Sequence, residues 1–416
     1  MFSTLISHIR SDLKIFTREQ KRFSLLVLPC IFLIMAEYGM SCPVSTSLFI
    51  SHFSAKSLPY VYLFTVPLNL LIVSLYNRFI PKIGAKNSFT YTLAIVSIVH
   101  VLCGLYVDKI PYLIFFQFAF RDIYILLLFK QLWSMIHATC DVSKIKYLYS
   151  VPFFIGSFGA IVGSIIPSFL AISVGSASIF FFTPVIYLFI VSFYKKAFLL
   201  GNSSDTKKLF TSTKGGFSLV RKSKYLVLVL LLVLFMQLAI TLVHFQFNYY
   251  LEKAFSDVDF RTQYMGRVHF FISSLSITVQ ITLSAFLIQF LGLKRSHLFV
   301  PLALLANSFV FLVKPTLSTI SHLYITIKSI DFSFFCLIRE KLYAPLSLDE
   351  KYRAKAVIDV FVYRSSKAIG SFFLIVFAWQ ELVYPLIYTL AILLIAWILV
   401  VLTLYKEKPE IVHENP

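Results

Sequence analysis

Apolar residues run along most of this chain in blocks of roughly 20 positions, each closed by a short polar stretch. Blocks of that length match a hydrocarbon core of about 30 Å when coiled as helix. The pattern predicts twelve membrane-spanning helices, at 23–42, 59–77, 88–106, 110–136, 148–171, 178–194, 225–247, 268–290, 297–313, 318–338, 358–379 and 383–404. The amino-terminal stretch MFSTLISHIRSDLKIFTREQKRF is polar and basic, and the apolar run after it is too long for a cleavable leader. The expected fold class is therefore an all-α polytopic membrane protein.

Composition agrees with the pattern. Of 416 residues, 58% are hydrophobic and 14% charged, against about 45–50% and about 25% in soluble domains. The net charge of +19 would fit a phosphate backbone as partner, but its distribution points elsewhere. Alternate connections carry about 27 and about 6 Arg or Lys, a bias that sets membrane orientation. Both termini are expected on the cytoplasmic side, and nucleic acid is excluded as the partner.

The longest polar connection, 195–224, holds eight basic residues between spans six and seven. It divides the chain into a cytoplasmic segment 1–22, an amino-terminal six-helix bundle 23–194, the basic linker 195–224, a carboxy-terminal six-helix bundle 225–405 and a tail 406–416. Two bundles rocking about a fixed site are one known transporter design. The tetrapeptide IGSF stands at 155–158 and again at 369–372, in the fifth span of each half. Gly156, Gly159 and Gly163 place small residues on one side of span five, where they let helices approach closely.

Familiar catalytic chemistry is absent from the letters. The five cysteines (Cys30, Cys42, Cys103, Cys140 and Cys336) show no paired metal-ligand spacing, and there is neither an HExxH nor a phosphate loop. The sequence implies no enzyme, no metal and no cofactor.

Charges inside the spans are the candidate functional groups. Arg121, Lys130, Lys328, Arg364 and Lys367 fall there, with Glu37, Asp122 and Asp331. A charge at a helix centre costs about 2.5–3.5 kcal/mol on insertion scales, so it is expected to face a wet cavity or a partner. Lys328 and Asp331, three apart, share a helix face and can pair. Arg121 and Asp122, being adjacent, point about 100° apart and are expected to find partners on other helices. Lys130 can also reach toward the cytoplasm along its stem. Five bases against three acids leave positive charge in excess, and Arg presents a planar fork suited to carboxylate or phosphate. The residues alone lead to an anionic small-molecule substrate.

The segment 339–364, REKLYAPLSLDEKYRAKAVIDVFVYR, resembles a signature of the nucleotide transporter family typified by the ATP/ADP translocases of plastids and intracellular bacteria. Glu340, Tyr343, Pro345, Leu346, Ala354, Lys355, Ala356, Ile358, Asp359 and Arg364 match that signature, and Arg339 stands where the family often has Lys. Looser likeness extends over 130–164 and 221–257. The resemblance implies twelve spans in two bundles, like the major facilitator superfamily, and exchange of ATP for ADP by alternating access in a bacterial inner membrane. It departs in span one, where AEYGMSCPVSTSLF offers Glu37 without the family's Lys-Asp pair, and in span ten, where Asp331 occupies an often basic position. Broader, poorly assigned bacterial relatives share the same core letters.

On this reading Arg121, Asp122, Lys130, Lys328, Asp331, Arg364 and Lys367 are expected to bind substrate. Glu37, Arg339, Glu340, Lys355 and Asp359 are expected to gate or couple transport, the last three as ion pairs at the cytoplasmic mouth. The chain carries both halves and so can work as a monomer. Two other readings stay open: a carrier of another phosphorylated metabolite or organic anion, driven by protons through Asp122, Asp331 or Glu37, and a non-transporting receptor or scaffold.

Overall fold

The computed structural model describes residues 17–139, 142–201, 216–343, 345–346, 355, 357–358, 362–378 and 383–407. The described residues form helices and short connections, with no strand among them. The helices are α1 (Arg18–Phe53), α2 (Leu58–Ile83), α3 (Ala85–Tyr106), α4 (Tyr112–Thr139), α5 (Val142–Val174), α6 (Thr183–Leu200), α7 (Gly216–Lys222) and α8 (Lys224–Ala254). They continue with α9 (Val258–Thr278), α10 (Ser284–Val313), α11 (Leu317–Ile330), α12 (Cys336–Leu342), α13 (Tyr363–Ala378) and α14 (Val383–Glu407).

Among the described residues the expected spans fall on or against helix, and nine stretches are by themselves long and apolar enough to cross a membrane. In or beside the other three expected spans, 268–290, 318–338 and 358–379, regular α-helix is interrupted among the described residues. A π-helical turn, Val279–Leu283, follows α9. A second, Asp331–Phe335, joins α11 to α12. Residues 357–358 and 362 are π-helical just before α13. Inside α10, Gly292 has φ 70°, a left-handed conformation that glycine adopts without penalty. It separates expected spans eight and nine.

Two compact units divide the chain. One comprises Met1–His52, Pro67–Thr211 and Asp257–Phe270; the other Phe53–Val66, Ser212–Ser256 and Phe271–Pro416. In the first unit α3 packs on α4 and α6, and its core gathers residues such as Phe23, Phe89, Tyr124, Leu132 and Tyr194. In the second, α8 lies against α11, α13 and α14. Its start is fixed by Ser223, whose hydroxyl accepts from the Leu226 amide at 3.4 Å, satisfying one of the free N–H groups of the first turn. The π turns Val279–Leu283 and Asp331–Phe335 pack together in this unit.

The glycine face of span five does what small residues allow. A Cβ on Gly163 would lie 1.9 Å from the Ala36 carbonyl oxygen, and one on Gly159 2.2 Å from that of Phe32. From the other side, a Cβ on Gly39 would meet the Ala160 oxygen at 2.5 Å. Helices α1 and α5 thus pack backbone on backbone. Gly156 differs, because its added Cβ would meet only the side chains of Met35, at 3.2 Å, and Ile31. We expect Gly163→Ala to lower thermal stability by about 1–3 kcal/mol through overpacking. Gly156→Ala should be neutral or slightly stabilising, since alanine favours helix by up to about 1 kcal/mol over glycine. Unfolding of the purified variants in detergent measures both.

Candidate functional site

Charged and polar groups gather in two places, one in each unit. In the first unit, α4 presents Gln117, Arg121 and Tyr124 at the i, i+4, i+7 spacing of one helix face, and all three are buried. Arg121 Nη1 donates to the Cys42 carbonyl and the Thr46 hydroxyl of α1, both at 3.3 Å. Its guanidinium carbon sits 4.7 Å from the Phe118 ring centroid. Contrary to expectation, its Nε also meets Asp122 Oδ1 at 3.5 Å. Nε lies close to the backbone on the arginine stem, so a neighbouring carboxylate can turn back to it although the Cβ directions diverge.

Glu37 sits on the adjoining face of α1 with no exposed surface. The Tyr124 hydroxyl donates to its two carboxylate oxygens at 3.0 and 3.3 Å. His100 of α3, equally buried, places Nδ1 3.9 Å from Glu37 Oε1. Gln117 Nε2 reaches His100 Nε2 at 3.0 Å, and Ser45 donates to Gln117 Oε1 at 2.5 Å. Sequence reasoning missed His100, Gln117 and Tyr124. The periodic polar positions of α4 were a legible signal; a lone histidine in an apolar run was not.

Arg261, which the expected spans leave in a connection, is buried in the first unit and its Nη1 donates to the Ser47 carbonyl at 3.4 Å. Beside it Asp259 Oδ1 accepts from the Ser176 amide at 2.7 Å. Lys130 lies at another point of the unit, where Nζ donates to Asn77 Oδ1 at 3.4 Å and stands over the Tyr76 ring.

In the second unit the expected Lys328–Asp331 pair does not form. Lys328 Nζ lies instead over the Phe332 ring, 4.2 Å from its centroid. Asp331 is buried and Oδ1 accepts from Gln237 Nε2 of α8 at 3.3 Å. A neutral amide on a neighbouring helix bonds the carboxylate directly, while Lys328 and Arg339 act on it through space. Lys367 Nζ lies 5.7 Å from the centroid of the Tyr62 ring. Tyr62 in turn shares a 2.6 Å hydrogen bond with His244 Nδ1, and His244 stacks on Tyr324.

At the charged loop, Lys355 Nζ donates to Glu340 Oε2 at 2.6 Å. This is one of the ion pairs expected there. Arg339 Nη2 reaches the Cys336 sulfur at 3.9 Å. Asp359 lies outside the described residues, and so does the side chain of Arg364, whose backbone belongs to α13. Among the described residues no group of three His, Cys, Asp or Glu side chains could hold a metal ion.

The architecture is one that solved membrane transporters share. The nucleoside transporter NupG superposes with a TM-score of 0.66 at 13% identity, covering 94% of this chain and 99% of that one. A bacterial homologue of the iron transporter ferroportin, in an inward-facing state, superposes at 0.65 with 14% identity and the same coverage. Such low identities speak to fold alone, and they agree with an all-α polytopic membrane protein. Residues 318–408 match the family model described as TLC ATP/ADP transporter. ADP,ATP carrier protein 1 of Chlamydia trachomatis is 27% identical over 199 residues, which is 43% of this chain and 37% of the carrier. The corresponding carrier of Chlamydia muridarum is 26% identical over the same extent. The resemblance to the nucleotide transporter family is thereby shown for the part of the chain that carries 339–364. The alignment spans little more than a third of the curated relatives' length. That family and these structural neighbours are transporters, not enzymes.

Removing the amide partner of Asp331 tests how this carboxylate is held. Gln237→Leu is expected to cost about 1–3 kcal/mol, the penalty of leaving a buried polar group unsatisfied. Adding Asp331→Leu should recover part of that loss, because both polar partners are then gone. Chemical or thermal unfolding of the single and double variants checks it.

Proposed function

We propose that this chain is a multi-pass transporter of nucleotides or nucleotide-like anions in a bacterial inner membrane. It works as a monomer and exchanges ATP and ADP by alternating access, with both termini cytoplasmic. The observation that carries the reading is the family match over 318–408. That stretch holds Lys328, Arg339, Lys355, Arg364 and Lys367, five of the cations an anionic cargo would meet. Arg364 and Lys367 are one helical turn apart on α13, a spacing that lets two bases act on one side. Glu340 and Lys355 form an ion pair that the transport cycle breaks and remakes. Asp359 belongs to the same gate by resemblance, and Arg121, Asp122, Lys130 and Asp331 complete the substrate path.

A second reading has a specific observation in its favour. Span one lacks the Lys-Asp pair of the resembled exchangers and carries instead a buried carboxylate beside a histidine. That arrangement suits a proton-coupled carrier of another phosphorylated or organic anion.

Labelled ATP uptake into proteoliposomes preloaded with ADP, ATP, phosphate or nothing separates the two. Exchange predicts uptake only with internal nucleotide, and a loss of about tenfold or more in Arg364→Ala and Lys367→Ala, equivalent to about 1.4 kcal/mol or more. Uptake that ignores internal nucleotide and follows a proton gradient supports the second reading. No uptake of ATP under any loading by folded protein would overturn the nucleotide assignment.

The gate is tested by charge reversal. Glu340→Lys and Lys355→Glu should each slow transport, and the double exchange should restore much of the rate. Thermal stability should barely change, because a partly exposed pair contributes about 0–1 kcal/mol.

A further inference from the structure

With the Gln117 amide oriented so that Oε1 faces Ser45, the hydrogen bonds around His100 fix the roles of its two ring nitrogens. Thr183 has a single hydroxyl hydrogen, which it donates to the Phe180 carbonyl at 2.8 Å. Its 3.0 Å contact with His100 Nδ1 is therefore made by an Nδ1–H that donates to the hydroxyl oxygen. On the far side of the ring, Gln117 Oε1 is occupied by the Ser45 hydroxyl, so the Gln117 amide donates its N–H to His100 Nε2. Nε2 is an acceptor and carries no proton. His100 is the neutral Nδ1–H tautomer, set by neighbours from α1, α4 and α6.

Charge counting then bears on Glu37, which Arg121 reaches only through space. Arg121 is matched by Asp122 at 3.5 Å, and the other titratable groups facing the cluster are the phenols of Tyr124 and Tyr187, the latter with its oxygen 3.4 Å from His100 Nδ1. Beyond Arg121, Cys42 meets His269 Nε2 at 3.8 Å. With His100 neutral and Arg121 shared between Asp122 and Glu37, an ionised Glu37 would leave a net negative charge at a carboxylate with no exposed surface, which a low-dielectric interior disfavours.

We propose that Glu37 and His100 form a proton-binding site inside the amino-terminal unit, in which the pair holds one exchangeable proton. In the arrangement seen, the proton belongs on the Glu37 carboxyl. Nδ1, the ring nitrogen 3.9 Å from Glu37, already carries hydrogen, so a proton lost by Glu37 is matched by one taken up at Nε2 on the far side of the ring, leaving a carboxylate and an imidazolium with the same total charge. Nε2 would then be a donor, so Gln117 must rotate its amide to present Oε1 to the ring. Its NH2 would then face Ser45, whose hydroxyl must turn away. The amide of Gln117 thus transmits the position of the proton from α3 to α1. Where the proton couples to flux, the inference rests on the transport reading; the site itself does not.

Infrared pH-difference spectroscopy of the full chain in lipid, without substrate, tests the site. A protonated-carboxyl band should vanish as pH rises, be absent from Glu37→Gln, and shift in Tyr124→Phe, which deletes a hydrogen bond to that carboxyl. Its titration should move in His100→Asn. If Glu37→Gln fails to fold, the shifts in the other two variants identify the band. A carboxylate that stays ionised throughout, or a titration identical in His100→Asn and wild type, would overturn the pair. In proteoliposomes, an inward acid gradient should accelerate anion uptake, and Glu37→Gln should abolish that response. An intact band without uptake of any nucleotide would sink the transport reading and leave the site standing; uptake indifferent to the gradient would sink the coupling.

Discussion

A carboxyl group with no exposed surface must be satisfied entirely by protein, and the amino-terminal unit is arranged around meeting that demand for Glu37. Tyr124 supplies a donor to both oxygens, His100 a neighbour able to share a proton, and Gln117 a link from the ring back to Ser45 on the helix that bears Glu37. With Thr183 of α6 accepting from His100, four helices contribute, so none can shift alone without leaving a polar group stranded in apolar surroundings, where each such group costs several kcal/mol in lipid.

That network depends in turn on where α1 is held. Phe32, Ala36 and Gly39 lie on the side of α1 that meets α5, and the glycines there bring the two backbones together. Glu37, Ser41 and Ser45 recur every four residues on the next face. Backbone contact on one side therefore sets the depth at which carboxylate and hydroxyl project on the other. The association needs no hydrophobic driving force, which lipid does not supply; close packing of small residues provides it.

Fold class could be read from the chain because apolar run length is a one-dimensional property. The small-residue face of span five was equally legible, since glycine spacing within one helix encodes it. What was not legible was decided by a second helix, by an irregular turn or by the reach of a long side chain. Asp331 found its partner in Gln237 of α8, ninety-four positions away, while Lys328 at local spacing went to an aromatic ring. Arg121 and Asp122 paired against a rule of Cβ direction, because a long side chain is not bound by it. Arg261 fell in a connection between expected spans, yet it is buried and bonded to a backbone carbonyl. The interrupted spans were hard to bound for the same reason: a π turn has no distinctive letters.

The π turn at Asp331–Phe335 carries a consequence for comparing chains of this kind. Such a turn amounts to one residue inserted into an α-helix. Deleting any one of those five positions would restore an unbroken helix and rotate α12 by about 100° relative to α11. Arg339 and Glu340 would keep their place in the alphabet of the family signature while Glu340 swung away from Lys355. A gap of one position in an alignment across this helix is therefore a change of aim rather than a trimmed residue, and letters that match beyond it need not match in space.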